Sequence, residues 1–133
     1  MSVHRVSVRR RPALSFLFAF MLGALAPMAQ AHHGWSWADG EQITLRGSIE
    51  RISMAPPHPT LQVKAADGGS WQVDLGNPGQ TQRSGFTGQT AKVGDAIVVL
   101  GNRSQDHGKL HMKAVRITLD GRNYDMYPER IRD

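Results

Sequence analysis

The sequence predicts a small all-β domain with one short helix. Along several short stretches apolar residues alternate with polar ones, which is the period of a strand buried on one face. Turns rich in glycine, asparagine and aspartate separate these stretches. Two of the longer stretches shift phase by one residue partway along, as a bulged or sharply coiled strand does. Such bending favours a closed barrel, and closure also removes exposed sheet edges.

The first phase change lies in the longest predicted strand. Its apolar positions are odd-numbered up to Ile49 and even-numbered from Ile52. The prolines within 56–59 end this strand, because proline has no N–H to donate to a ladder. Two further strands follow, one on each side of a turn at 67–69.

The middle of the chain carries the helix candidate. Asn77 and Pro78 are suited to cap and begin a short helix that runs to about Ser84, and Gly85 is suited to stop it. The continuous apolar run 97–100 then predicts a strand buried on both faces, followed by a polar loop over 101–108.

The second phase change lies in the next strand, where the apolar alternation restarts at Val115. A turn at 120–121 leads into a final short strand. The predicted order is three strands, a short helix, two strands and an added terminal hairpin. This order predicts a five- to six-stranded OB-like barrel, with a small open β-sandwich as the alternative.

Residues 1–31 have the three parts of a secretory signal peptide. A basic front precedes the apolar run 13–26, which is shorter than the roughly 20 residues of a membrane-spanning helix. Ala29 and Ala31 supply the small residues of a cleavage site. We therefore predict cleavage after Ala31, a periplasmic location and a single domain over 32–133 with no membrane span. An uncleaved membrane anchor is the alternative.

The charge of the predicted mature chain excludes one class of partner. The whole chain carries a formal charge of +5, but four arginines of that excess belong to the signal segment. The remaining 12 basic and 11 acidic side chains leave +1. Nucleic acid is therefore not predicted as a partner, since its binding needs a concentrated basic face. The absence of cysteine excludes disulfides, thiolate metal sites and a cysteine nucleophile.

Several short motifs resemble a family of small exported bacterial proteins classed as a domain of unknown function. Its members begin, after the signal, with Ala-His-His-Gly-Trp, which this chain matches at 31–35. The other matching pieces lie at 47–49, 57–58, 92–95, 101–104 and 121–128. The resemblance implies a periplasmic OB-like β domain, and it implies no known activity.

The histidines carry the first functional hypothesis. Cleavage after Ala31 would make His32 the first residue, which offers a metal both its α-amine and its imidazole. His33 adds an imidazole, and His58 lies between two prolines that stiffen its loop. Nitrogen-rich tetragonal ligation suits Cu(II). The sequence therefore predicts a copper ion as cofactor, bound by His32, His33 and His58.

Other ligands and a simpler explanation remain open at this stage. His107 and His111 flank the start of a later strand and could approach the same end of the barrel. Met54 or Met112 could add a soft ligand for Cu(I). The simpler explanation is that the histidine pair is exposed after cleavage and binds metal only adventitiously.

The tryptophans carry the second functional hypothesis. Trp35 and Trp37 could form a stacking surface for a sugar or a base, in an adaptor that binds an envelope protein or a small glycan without metal. The alternative is that both rings pack against the barrel and plug one of its ends. An enzyme is not predicted, since no serine lies in a nucleophile-elbow context and no phosphate-binding glycine loop precedes a helix.

Overall fold

Six strands and two short helices form the part of the chain that the computed structural model describes, which is Met1 and residues 34–132. The strands are β1 (Ala38–Ser53), β2 (Thr60–Ala65), β3 (Ser70–Asp74), β4 (Ala96–Ser104), β5 (His111–Leu119) and β6 (Arg122–Asp125). The helices are α1 (Pro78–Arg83) and a 3₁₀ helix (Pro128–Arg130). The predictions for the signal segment and for His32 and His33 lie outside the described residues.

The sheet closes into a barrel. Antiparallel pairing links β3, β2, β1, β4 and β5 in that order, and the first part of β5 then pairs in parallel with β3. The later part of β5 pairs with β6, which extends the sheet as a hairpin. With α1 between β3 and β4, this is the OB-like arrangement, and the predicted fold class is confirmed. The parallel pairing of β3 with β5 rules out the open sandwich.

Both predicted phase changes are β-bulges. The register of β1 against β2 shifts between Ile49 and Arg51. On β5, Leu100 pairs with Arg116 and Gly101 with Ala114, which leaves Val115 as the extra residue. An extra residue bends and coils a strand, so each bulge lets a long strand follow the curvature of a small barrel.

The predicted helix is confirmed with its caps. The Asn77 side chain accepts from the Gln80 backbone N–H at 2.8 Å, and the Gln80 side chain accepts from the Asn77 backbone N–H at 3.4 Å. Pro78 occupies the first turn, where its missing N–H costs nothing. After the helix Gly85 has a φ of +88°, a conformation that glycine adopts without strain.

The predicted loop over 101–108 begins too early, because β4 continues to Ser104. Gly101 and Asn102 pair with β5 on one side and with β1 on the other. Asn102 and Ser104 are buried despite their polar side chains. The long-range pairing of three strands therefore overrides the local preference of a polar segment for a loop.

The core lies inside the barrel and extends under the helix. Trp71 points inward, as its phase with Val73 and Leu75 predicts. Phe86, which follows α1, is fully buried and meets Tyr124 of β6 edge-to-face, with ring centroids 5.6 Å apart. The largest fully buried apolar side chains come from β1, β2, β3, the residue after β3, the segment after α1, β4 and β5: Ile49, Leu61, Val63, Val73, Leu75, Phe86, Val99, Met112, Val115 and Ile117.

An ion pair joins β5 to the terminal hairpin, and it makes stability depend on pH. Arg116 Nε and Nη2 donate to Asp125 at 2.5 and 3.0 Å, which lowers the pKa of that carboxyl, although burial partly opposes the shift. The stabilisation is therefore present above the ordinary aspartate pKa of about 3.9 and is lost as pH falls through the lower folded-state value.

The Asp125→Asn variant is expected to lose about 1 kcal/mol of unfolding free energy at pH 7, because a charge-assisted bidentate pair is removed. Its stability should also decline less than that of the parent between about pH 4 and pH 2. Urea melts across this range measure both effects, with Glu41→Gln on the exposed start of β1 as the control. An equal acid dependence in Asp125→Asn and the parent would contradict the prediction.

Candidate functional site

The structure places the third predicted copper ligand in an exposed loop. His58 lies between β1 and β2, beyond the cis Pro56–Pro57 bond, and within the described residues it belongs to no group of three histidine, aspartate or glutamate side chains that could hold a metal ion. Its predicted partners, His32 and His33, lie outside the described residues. The ligand set His32, His33 and His58 therefore stays a prediction.

A different polar cluster is partly buried on the outer face of β3 and β5. Asp74 pairs with Lys113 where the two strands run in parallel, and His111 lies two residues before Lys113. Side chains alternate along a strand, so these three lie opposite the core residues Val73 and Met112. An outer face is normally solvated, yet the side chains of Asp74 and His111 are only 14% and 23% exposed, and Lys113 is buried.

Aromatic residues from both ends of the domain cover this cluster. The Trp37 ring stacks on the His111 ring, with centroids 4.0 Å apart and planes within 9°. The Trp35 ring meets Tyr127 edge-to-face at 4.8 Å. Trp35 also packs against the hydrophobic core, as the packing alternative predicts, and Trp37 lies on the outer face through its contact with His111. One face of Trp37 is covered by His111, and ligand stacking on Trp35 and Trp37 stays a prediction.

Lys113 is enclosed by these rings. Its ammonium lies 5.8 Å from the centroid of Trp35 and 5.7 Å from that of Tyr127, within the range of cation–π attraction. Burial lowers the pKa of Lys113, and the nearby Asp74 carboxylate opposes that change by favouring the charged form. Burial also raises the pKa of the Tyr127 phenol. The cluster thus combines a buried cation, a carboxylate and an imidazole.

The contact between His111 and Asp74 has the distance of an ion pair but lacks the alignment of a hydrogen bond. His111 Nε2 lies 3.0 Å from Asp74 Oδ2, yet this buried ring nitrogen has no hydrogen-bond partner among the described residues. A ring N–H donates only along its own direction in the ring plane, so proximity alone does not satisfy it. The other carboxylate oxygen, Asp74 Oδ1, accepts from Gln72 Nε2 at 2.9 Å. Asp74 is therefore held in place, whereas His111 Nε2 lacks an aligned partner.

His58 and His111 are well separated. His111 pairs with Gln72 of β3, and Gln72 pairs with Gln62 of β2, so two interstrand steps separate β5 from β2. His58 lies four residues before Gln62. With about 4.8 Å between strands and about 3.3 Å per residue, the two histidine Cα atoms are on the order of 15 Å apart. This register places His58 well away from His111 along the sheet.

The remaining described histidine, His107, belongs to the loop after β4 and lies close to the start of β1 in space. His107 Nε2 is 3.3 Å from Asp39 Oδ2, and this hydrogen bond is the main cause of the lowered pKa of Asp39. Both side chains are well exposed. Over Met1 and residues 34–132, no three histidine, aspartate or glutamate side chains gather closely enough to hold a metal ion. The described part of a metal site therefore has at most two such ligands.

Sequence reasoning missed most of this cluster. The sequence pattern predicts that Asp74 is a solvated residue in the middle of a strand. Lys113 has an apolar residue on each side, so the alternation predicts that it also faces solvent. The cover comes from Trp35 and Tyr127, which are about 90 residues apart in the chain. The residues next to Lys113 in the sequence do not indicate that Trp35 and Tyr127 cover it. Of the cluster, only His111 was identified from the sequence, as a possible further metal ligand.

The fold and the cluster define a small OB-like β-barrel protein whose outer face is covered by both ends of the domain. The chain belongs to a family of unknown function, DUF6152, whose family model matches residues 21–113. No curated protein matches the chain. Among the described residues, no helix has the length and apolar content needed to cross a membrane.

Proposed function

We propose that the chain is exported, cut after Ala31, and binds a divalent metal ion, Cu(II) above others, in the periplasm. His32 and His33 would supply nitrogen ligands from the new N-terminus, as the sequence predicts. The cluster on β3 and β5 adds a candidate third and fourth ligand, His111 and Asp74. The observation that carries this extension is the stacking of Trp37 on His111, whose Nε2 has no aligned partner within the described residues.

The covalent chain limits how far the histidine pair can lie from this cluster. His33 is two residues before Trp35, and an extended chain spans at most about 3.6 Å per residue, so their Cα atoms are within about 7 Å. The Trp35 ring in turn lies 5.8 Å from the Lys113 ammonium. The proposed ligand His33 is thus joined through Gly34 to a residue whose ring lies beside Lys113 of β5, the strand that also carries His111. His58 has no comparable link to the start of the domain in the described structure.

The separation of His111 and Asp74 suits two ligands of one ion. Ligand bonds from nitrogen and carboxylate oxygen are about 2.0–2.2 Å long, so two such atoms at a right angle are about 2.9 Å apart. The observed 3.0 Å between Nε2 and Oδ2 is close to this value. The Gln72 amide, which bonds the other oxygen, matches the usual support of a ligating carboxylate. All these donors are nitrogen or oxygen, which favours Cu(II) over Cu(I).

The soft ligands weighed for Cu(I) do not join this set. Met112 follows His111 on β5, so it points to the opposite face and is fully buried in the core. Met54 lies beside Gly88, since a Cβ added to Gly88 would be 3.4 Å from Met54 Cγ. These placements support a proposal of divalent copper rather than a thioether site.

The test is thermal unfolding of protein that begins at His32, with and without Cu(II). At a free copper concentration of 100 times Kd the gain is about 2.7 kcal/mol, which raises the Tm of a domain of this size by roughly 10 °C or more. We expect His111→Ala to lose most of this shift and His58→Ala to keep it. An adventitious histidine pair gives almost no shift, because the unfolded chain retains the same two residues.

Each result discriminates between specific hypotheses. If the copper-induced Tm shift is lost in His58→Ala and kept in His111→Ala, the third ligand is His58 rather than His111. A negligible shift in the parent would leave only adventitious binding and remove the proposed function. His107→Ala is the matched control, since His107 is exposed and bonds Asp39 rather than the cluster.

A further inference from the structure

We infer that the C-terminal segment, residues 127–132, positions the N-terminal arm, residues 34–37, over the outer face of β3 and β5. This inference rests on the proposed function for its consequence, because the arm continues directly into His33 and His32. The C-terminal segment contributes no proposed ligand. Its role would be to hold the arm where the histidine pair can meet His111 and Asp74.

The Trp35 ring is the main contact between the two ends of the domain. The Arg130 guanidinium carbon lies 4.2 Å from the Trp35 ring centroid, and Tyr127 meets the same ring edge-to-face. The Lys113 ammonium lies 5.8 Å from the same centroid. Two cations and one aromatic ring thus surround a single indole, and two of these three groups belong to the C-terminal segment. Cation–π attraction and aromatic packing favour this arrangement over a solvated arm.

The C-terminal segment is itself fastened to the barrel. Both backbone N–H groups of Met126 and Tyr127 donate to the carbonyl of Val115, the bulged residue of β5, at 2.9 and 3.2 Å. Further along, the Gln42 side chain of β1 donates to the Arg130 carbonyl at 2.5 Å and accepts from the Arg132 backbone N–H at 3.3 Å. One glutamine therefore fixes the segment on both sides of Ile131.

A second set of bonds closes the segment against the start of β1. Arg132 Nη1 donates to the Gly40 carbonyl at 3.0 Å. Ile131 packs against the hydrophobic core. The arm is also held from the other side, since the Gln105 backbone N–H donates to the Trp37 carbonyl at 2.9 Å. The arm thus lies between the loop after β4 and the C-terminal segment.

The physical consequence is a lower cost of ordering the arm when a metal binds. A free arm would lose conformational entropy on binding, whereas an arm already held by Trp35 has lost most of it on folding. Removing a group that orients metal ligands commonly weakens binding about ten- to a hundredfold. Arg130 and Gln42 are therefore expected to act as positioning residues for the site.

The experiment uses protein that begins at His32 and measures two quantities in each variant. The first is the indole N–H resonance of Trp35 without metal, which reports whether the ring stays enclosed. The second is the affinity for Cu(II). We expect Arg130→Ala and Gln42→Ala each to shift the Trp35 resonance toward that of a solvated indole and to weaken Cu(II) binding about tenfold. Arg130→Lys, which keeps the cation, should recover part of both.

Two controls separate positioning from general damage. Arg51→Ala removes an exposed arginine from the far end of β1 and should change neither quantity. In a Trp35→Ala background, Arg130→Ala should cost no further affinity, since its contact with the arm is already gone.

An unshifted Trp35 resonance in both Arg130→Ala and Gln42→Ala would overturn the inference, as would a shifted resonance with unchanged copper affinity. The inference would also be overturned if Arg130→Ala weakened Cu(II) binding as much in the Trp35→Ala background as in the parent. If the parent binds no copper, the proposed function fails, whereas the resonance still decides whether the segment holds the arm.

Discussion

Replacing Gly101 by alanine is expected to destabilise the domain more than any other small substitution in β4. A Cβ at this position would overlap the backbone carbonyl oxygen of Lys113 and would lie 2.9 Å from Met112 Cε. The carbonyl belongs to β5 next to its bulge and cannot move without breaking the ladder. We expect a loss of about 3 kcal/mol or more, which lowers the Tm by roughly 15 °C.

The matched control for this prediction is Gly40→Ala in β1. A Cβ at Gly40 meets nothing within 4 Å, so the substitution should be neutral or slightly stabilising. Calorimetry of both variants measures the difference. Gly47→Ala should resemble Gly101→Ala, because its Cβ would overlap the carbonyl of Lys64. Equal melting temperatures for Gly101→Ala and Gly40→Ala would show that the close approach of β4 and β5 is not required.

A single residue placed ahead of His32 is expected to weaken Cu(II) binding by on the order of a hundredfold or more. The added residue converts the α-amine of His32 into an amide, which removes one nitrogen of the proposed chelate. Loss of a group that merely orients a ligand already costs about ten- to a hundredfold, so loss of a ligand should cost at least as much. Competition titration of protein with and without a leading methionine measures the ratio.

The appropriate control is the same comparison in His111→Ala. If the α-amine and His111 ligate the same ion, the leading methionine should matter less once His111 is gone, since the two effects then couple. Equal Cu(II) affinities with and without the leading methionine would show that the α-amine of His32 is not a ligand. The remaining imidazoles would then account for any copper that binds.

The fold follows closely from local patterns in the sequence. The shift from odd to even apolar positions after Ile49 and the restart at Val115 both mark real bulges. Asn77, Pro78 and Gly85 mark the ends of the helix correctly. These signals are local, because strand alternation and helix capping depend on residues only a few positions apart. The extension of β4 through Ser104 was missed, since it depends on pairing with two distant strands.

The candidate site could be predicted only in part. The histidine pair after Ala31 is visible as a motif, and His58 attracts notice because prolines flank it. His111 was one alternative among several. Nothing near Asp74 or Lys113 in the sequence indicates that they lie together on one face. Their pairing depends on the parallel contact of β3 with β5, which are separated in the chain by one helix and one strand.

The sequence by itself thus determined the strand periods, the bulges, the helix caps and the resemblance to a family of unknown function. Each of these is encoded by residues that are near one another in the chain. Only the tertiary structure decided which polar side chains are covered on the outside of the barrel. Trp35 and Tyr127 come from opposite ends of the domain and meet over Lys113 because closure of the barrel brings those ends to the same face. Burial on an outer face depends on that long-range meeting, and no local period encodes it.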